Sequence, residues 1–169
     1  MKWSQIDAIP CPIAQAMSVI GDSWTLLLIR DAMQGRTKFD EFQQSTGASR
    51  AVIAERLAHL VEHDVLARTQ YEEHPPRYEY KLTARGKALQ PLMMTMAHWS
   101  ETQLPKPTRA RKRRHTTCGH TFHPVVHCSE CGEAITPETV TYDRRPAPKT
   151  SQEKGRGADR GEDRTRQLD

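Results

Sequence analysis

The spacing of apolar positions along the first hundred residues switches between a helical period and simple alternation, and each switch marks an element. After Cys11-Pro12, the residues Ile13, Ala16, Met17 and Ile20 form a helical stripe. Proline suits the first turn, where its missing N–H would have no partner in any case. Gly21-Asp22 closes this helix and Ser23 caps a second, which runs to about Met33. Its Trp24-Thr25-Leu26-Leu27-Leu28-Ile29 run is apolar almost all round, which predicts the central helix of the core, and Gly35 stops it. A third helix spans about 38–44 with Phe39 and Phe42 facing inward, and Thr46-Gly47-Ala48 reads as a turn. Ser49 caps a fourth helix, about 50–63, whose Ile53, Leu57, Leu60 and Val61 line one buried face.

The other face of the fourth helix carries Arg50, Ala51, Ala54, Glu55 and Ala58. Side chains this small let a helix approach the floor of a groove closely. From Val65 the period shortens to two. A strand runs to Tyr71, a loop follows over Glu72–Pro76, and a second strand spans Arg77–Leu82 with Tyr78, Tyr80 and Leu82 alternating. Thr83 then caps one long helix to about Gln103, striped by Leu89, Leu92, Met93, Met96 and Trp99 and kinked at Pro91. A short helix, a tight turn, a second helix and a charged ribbon, in that order, form a winged helix-turn-helix. The fold expected is therefore mainly α with a small β-wing, a plan that sets a helix into the DNA major groove.

Past residue 104 the pattern changes. Leu104 to Arg114 holds two prolines and six basic residues and reads as a linker, while 115–142 gathers cysteine and histidine. Residues 143–169 have Leu168 as their single large apolar residue, too little to fold, and a disordered tail is expected. The division predicted is a winged-helix domain over 1–104, a basic linker over 105–114, a zinc-ribbon-like module over 115–142 and the tail. No internal repeat is visible.

Charge refines the picture. Residues 1–104 carry 11 basic groups against 12 acidic ones, so the winged-helix part is not broadly basic and DNA affinity must come from local patches. Ser49, Arg50 and Ala54 stand at the N-terminal end of the fourth helix, where recognition helices meet base edges, and Arg50 is placed to bind a guanine edge in bidentate fashion. Glu55 on that face either reads a cytosine or points away. Arg36 and Lys38, at the start of the third helix, and Arg77 and Lys81 on the wing are expected to meet phosphate. The basic linker is suited to tracking phosphates or a minor groove in a salt-dependent way. The striped last helix predicts a homodimer, because a palindromic operator calls for a two-fold protein.

No apolar run reaches the roughly 18–20 residues of a membrane span, and Met1–Pro10 has no signal-peptide pattern, so a cytoplasmic protein is expected. Neither a phosphate loop, nor a Ser-His-Asp order, nor an open metal site with a carboxylate base is present, which predicts a binding protein and no enzyme. Cys118, Cys128 and Cys131 lie within fourteen positions, a cluster that favours metal over disulfides when no signal peptide precedes it. Cys128-x-x-Cys131-Gly132 is a zinc knuckle, and a segment this poor in apolar residues needs such a staple to fold. Cys118 with one nearby histidine, from His115, His120, His123 and His127, would close a four-ligand structural site. Cys11 stands at a helix N-terminus. That position favours a reactive thiolate, although a packed small hydrophobe is the plainer alternative.

Several separated motifs also carry a family resemblance: Cys11-Pro12-Ile13-Ala14, the run Ile20 to Arg30, Ser49-Arg50 with Leu57-Ala58-His59-Leu60, the run Pro75 to Thr83, and Gly86 with Trp99. Over about residues 10–102 the chain resembles the HxlR family of bacterial transcriptional regulators, which is similar to the MarR regulators. The resemblance implies homodimers on a double-stranded operator, often beside their own or a neighbouring gene; repression by occluding a promoter is the default expectation, with activation the alternative. It also implies a cysteine at the place of Cys11 that senses an electrophile, an oxidant or another small molecule. The Cys118-Gly119-His120 turn resembles the C-terminal extension of some such regulators, which makes the implied zinc ligands Cys118, His120, Cys128 and Cys131. One departure stands at His63-Asp64-Val65-Leu66, where the family usually has glycine before the apolar pair. Two further readings stay open. Because 115–142 carries no Lys or Arg, the ribbon could recruit a protein partner; alternatively, its thiols could form a redox switch.

Overall fold

The computed structural model describes Ile6, residues 8–105 and residues 112–142. The tail expected to be disordered and most of the basic linker, 106–111, lie outside the described residues. The chain divides into two compact units, Met1–Val125 and Val126–Asp169. The sequence places a boundary at 114/115, and the structure places it at 125/126. Arg113, assigned to the linker by its charge, pairs with Glu101 in the first unit, Nη1 lying 3.0 Å from Oε2. That contact holds the Glu101 carboxyl below the usual carboxylate range.

The first unit runs α1 (Pro12–Ile20), α2 (Ser23–Met33), α3 (Phe39–Thr46), α4 (Arg50–Glu62), β1 (Leu66–Glu72), β2 (Arg77–Leu82), α5 (Ala84–Lys87) and α6 (Gln90–Gln103). Helix α2 is central, touching α3, α4 and β2. Asp22, one residue before the expected Ser23, is its cap: Oδ1 accepts from the amides of Trp24 at 2.9 Å and Thr25 at 3.2 Å. Leu28, Ile29, Phe42, Ile53, Leu57 and Leu60 are fully buried around it, each such side chain contributing about 1.5–3 kcal/mol of transfer free energy. The first helix turns differently from its predicted stripe. Ala14 and Ile20 face inward, while Ile13 is 71% exposed.

Gly47, in the left-handed region at φ 73°, ends α3, and only a residue without Cβ takes that conformation cheaply. This bend swings the chain into α4, where Ser49 Oγ accepts from the Val52 amide at 3.3 Å. β1 and β2 pair antiparallel from Leu66↔Leu82 to Glu72↔Arg77, with an irregularity between Gln70 and Glu72. The ribbon is anchored at its base. Tyr80 donates its amide to the Thr37 carbonyl at 2.7 Å, Lys38 bridges Glu79, and the Tyr80 ring meets Phe42 edge-on at 6.4 Å.

The single long helix expected over 84–103 is two helices. Continuing α5 through residue 91 would require an N–H there for the Lys87 carbonyl, and Pro91 has none. The chain instead makes a turn at Ala88-Leu89 and restarts with Pro91 in the first turn of α6. The predicted stripe divides accordingly. Leu89 and Met93 pack on the core, whereas Leu92, Met96 and Trp99 are 46%, 40% and 57% exposed.

The second unit, described from Val126 to Tyr142, is a loop closed by a His127↔Ala134 bridge, followed by a short 3₁₀ turn at Pro137–Thr139.

Candidate nucleic-acid interface

Helix α4 is sharply two-faced. Ile53, Leu57 and Leu60 are buried, and Arg50, Ala51, Ala54, Glu55 and Ala58 are exposed. Its N-terminal turn carries Ser49, whose hydroxyl is committed to the cap. Arg50 lies beside it, its guanidinium 4.7 Å from the Phe39 ring centroid. Arg50 Nη1 donates to Asp40 Oδ1 at 2.9 Å and to Gln43 Oε1 at 3.1 Å. Both ends of the Arg50–Asp40 pair are well exposed, so exchanging it for a base edge costs little. Glu55 points outward and bonds its neighbour Arg56 at 3.1 Å.

Lys38 and the wing flank this face. Glu41 Oε2 accepts from the amides of Thr37 at 2.8 Å and Lys38 at 2.9 Å, fixing the start of α3. The Lys38 amide first, then that of Thr37, holds the Glu41 carboxyl below its ordinary range. The Lys38 ammonium sits 5.3 Å over the Tyr71 ring. Arg77 pairs with Glu72 at 3.2 Å, and Lys81 pairs with Glu79. Arg68, which the sequence reading passed over, lies 3.5 Å from the Tyr78 ring centroid and joins this exposed basic set. Its signal was an arginine two registers from a tyrosine across the hairpin, legible only once the register was known.

Arg36 is placed otherwise than expected. Its Nη1 lies 3.2 Å from Oδ1 of Asp31, a fully buried carboxylate that Arg30 also holds, through Nη2 at 2.8 Å. Arg36 thus serves as counter-ion to a buried charge. The other expected residues, Ser49, Arg50, Ala54, Arg77, Lys81 and Lys38, lie on exposed surface of α3, α4 and the wing.

The remaining candidates sit elsewhere. Cys11 is half-buried at the N-cap of α1. Cys118 lies in the first unit, where its Sγ is 3.3 Å from His115 Nδ1; His120 is exposed. Cys128 and Cys131 lie in the second. There the amides of Cys131 and Glu130, and then the Cys131 thiol, lower the Cys128 thiol below its ordinary range. Among the described residues, His59, Glu62 and His63 at the far end of α4 bring three ligating atoms within 4.8 Å of one another. No single described helix is long and apolar enough to cross a membrane.

Residues 19–108 match the HxlR-like helix-turn-helix family, a span that takes in the helix-turn-helix, the wing and α6. The chain belongs to that family. It is similar to the HTH-type transcriptional regulator Rv3095 of Mycobacterium tuberculosis, with 35% identity over 135 residues, 79% of this chain and 85% of the relative. The crystal structure of the transcription factor PA1607 superposes with a TM-score of 0.71 at 33% identity, covering 84% of this chain and 99% of that one. The reduced form of the redox regulator HypR superposes with a TM-score of 0.51 at 28% identity, covering 54% of this chain and 91% of that one. This HxlR-like protein is a DNA-binding transcriptional regulator, and its relatives are regulators as well.

Proposed function

We propose that the protein is a homodimeric repressor that binds a two-fold operator, with α4 reading bases and the wing gripping the backbone. The observation that carries this reading is the division of α4. One face is fully buried, and the other offers Arg50 and a floor of alanines from a cap that fixes its N-terminus. The exposed Leu92, Met96 and Trp99 on α6 form the face for a second copy, since an apolar stripe of this size gains by leaving water. A regulator of this kind acts in the cytoplasm, where the chromosome lies.

Regulation is by a thiol-reactive or small-molecule effector acting through Cys11. The similarity to the redox regulator HypR supports this, as does the position of Cys11 at the start of α1, where the helix dipole favours a thiolate. The cysteines of the C-terminal extension hold a structural zinc. Four donors of thiolate and imidazole type close a tetrahedron and leave no position for catalysis. A protein-recruiting role for the extension is favoured by a specific feature, because Val126, Ile135 and Tyr142 are 54%, 42% and 90% exposed in the second unit.

Genome-wide mapping of bound DNA in the native host, followed by titration of the best site at two salt concentrations, tests the main reading. A sharp palindromic site is expected at few promoters, with transcription of the adjacent gene rising when the protein is deleted. Diffuse and steeply salt-sensitive binding would mean that α4 does not read bases.

A further inference from the structure

The last turn of α4 gathers three side chains that the base-reading end of the helix does not use. His59, Glu62 and His63 each place a ligating atom within 4.8 Å of the others. Residues three and four apart share one face of a helix, so these side chains converge by backbone geometry alone. The two imidazole rings meet edge-on, with centroids 4.4 Å apart. Histidines at i and i+4 on one helix face are the spacing with which a helix holds zinc.

The surroundings of His59 go beyond spacing. Its Nε2 lies 3.0 Å from the carbonyl oxygen of Val19 in α1. A carbonyl oxygen only accepts, so Nε2 carries the proton and Nδ1 keeps its lone pair. Metal-binding histidines almost always hand their second N–H to such an acceptor, which fixes the ring and raises its basicity as a ligand. Both histidines are half-buried, and Glu62 is exposed. His63 is the C-cap of α4, and its amide returns to the His59 carbonyl at 3.1 Å. The C-terminal end of a helix is the negative pole of its dipole and favours a cation.

We propose that His59, Glu62 and His63 form a site for a divalent transition-metal ion of the zinc class. Two imidazole nitrogens and one carboxylate oxygen suit zinc, nickel or copper, whereas calcium and magnesium take oxygen ligands. Nitrogen and oxygen donors at about 2.0–2.2 Å from a tetrahedral ion stand roughly 3.4 Å apart. Rotation of the exposed Glu62 side chain and small ring adjustments close the 4.8 Å spread to that value. Three protein ligands leave a fourth position for water or an outside donor. All three come from one helix, so the site is complete within the helix-turn-helix unit. A bound ion ties the last turn of α4 into a ring and, through the Val19 carbonyl, braces it against α1.

Cadmium-113 NMR of the full-length chain tests the site, because nitrogen and oxygen ligation resonates far upfield of thiolate ligation. Signals from the cysteines of the extension are therefore counted separately. One upfield resonance is expected in the wild type, and added zinc chloride should displace it. His63→Gln should abolish that resonance. Glu62→Gln, at an exposed position where folding is not at risk, should weaken cadmium binding there at least as much as the roughly 10–100-fold that loss of an outer-shell partner costs. Circular dichroism of both variants should match the wild type. A wild type with no upfield resonance, or a resonance of unchanged affinity in both variants, would overturn the proposal. Either result leaves the DNA-binding reading and the zinc of the extension untouched.

Discussion

Residues with no exposed chemistry set some of the tightest constraints in this fold. A Cβ on Gly86 would lie 2.2 Å from the carbonyl oxygen of Val65 and 2.8 Å from a methyl of Leu82. The neighbour that must move is backbone, and it is held. Thr83 Oγ1 donates to the Asp64 carbonyl at 2.6 Å and accepts from the Gly86 amide at 3.0 Å. Gly86→Ala is therefore expected to cost about 1–3 kcal/mol of stability, read by urea denaturation, because overpacking here displaces the strand that carries the wing. Asp64 stands where the family resemblance implied glycine, and it occupies the left-handed region at φ 54°. Aspartate tolerates that conformation better than most residues, which is how the turn survives the replacement.

At the scale of elements, the proposed function divides the work of binding DNA between the helix-turn-helix and the wing. Arg77 and Lys81 on the wing are expected to contact phosphate. Each change to alanine should weaken binding to any duplex about equally and reduce the slope of log affinity against log salt by about 0.9. Arg50→Ala should cost about 1–3 kcal/mol on the operator alone and relax one base position. Arg36→Ala should behave differently from all three, leaving the salt slope unchanged and lowering folding stability by about 1–2 kcal/mol, since its partner is the buried Asp31. Titrations across salt with parallel denaturation curves separate these outcomes. Equal slopes for Arg36→Ala and Lys81→Ala would contradict the division.

For the molecule as a whole, the exposed stripe of α6 is the face on which the proposed dimer would form. Leu92 and Met96 face away from the core that Leu89 and Met93 join. A Leu92→Asp/Met96→Asp double change should leave the circular dichroism spectrum intact, shift the mass by light scattering from dimer to monomer, and reduce operator affinity. A dimer of unchanged mass would place the two-fold contact elsewhere. The same scale governs the extension. Arg113 clips to Glu101, and Cys118 lies in the unit that carries the helix-turn-helix, whereas the sequence groups Cys118 with Cys128 and Cys131 by spacing.

The sequence by itself determined the order of elements through β2, the buried face of α4, the caps at Ser49 and Thr83, and the family. These follow from local rules: period, capping chemistry and turn residues act within a few positions of one another. The tertiary structure decided what depends on partners far along the chain. Arg36 reads as a phosphate contact until Asp31 is seen to be buried beside it. The apolar stripe over 84–103 reads as one surface until Pro91 and the core divide it. A periodic pattern records which side chains avoid water, and a fixed backbone is needed to decide which polar groups meet.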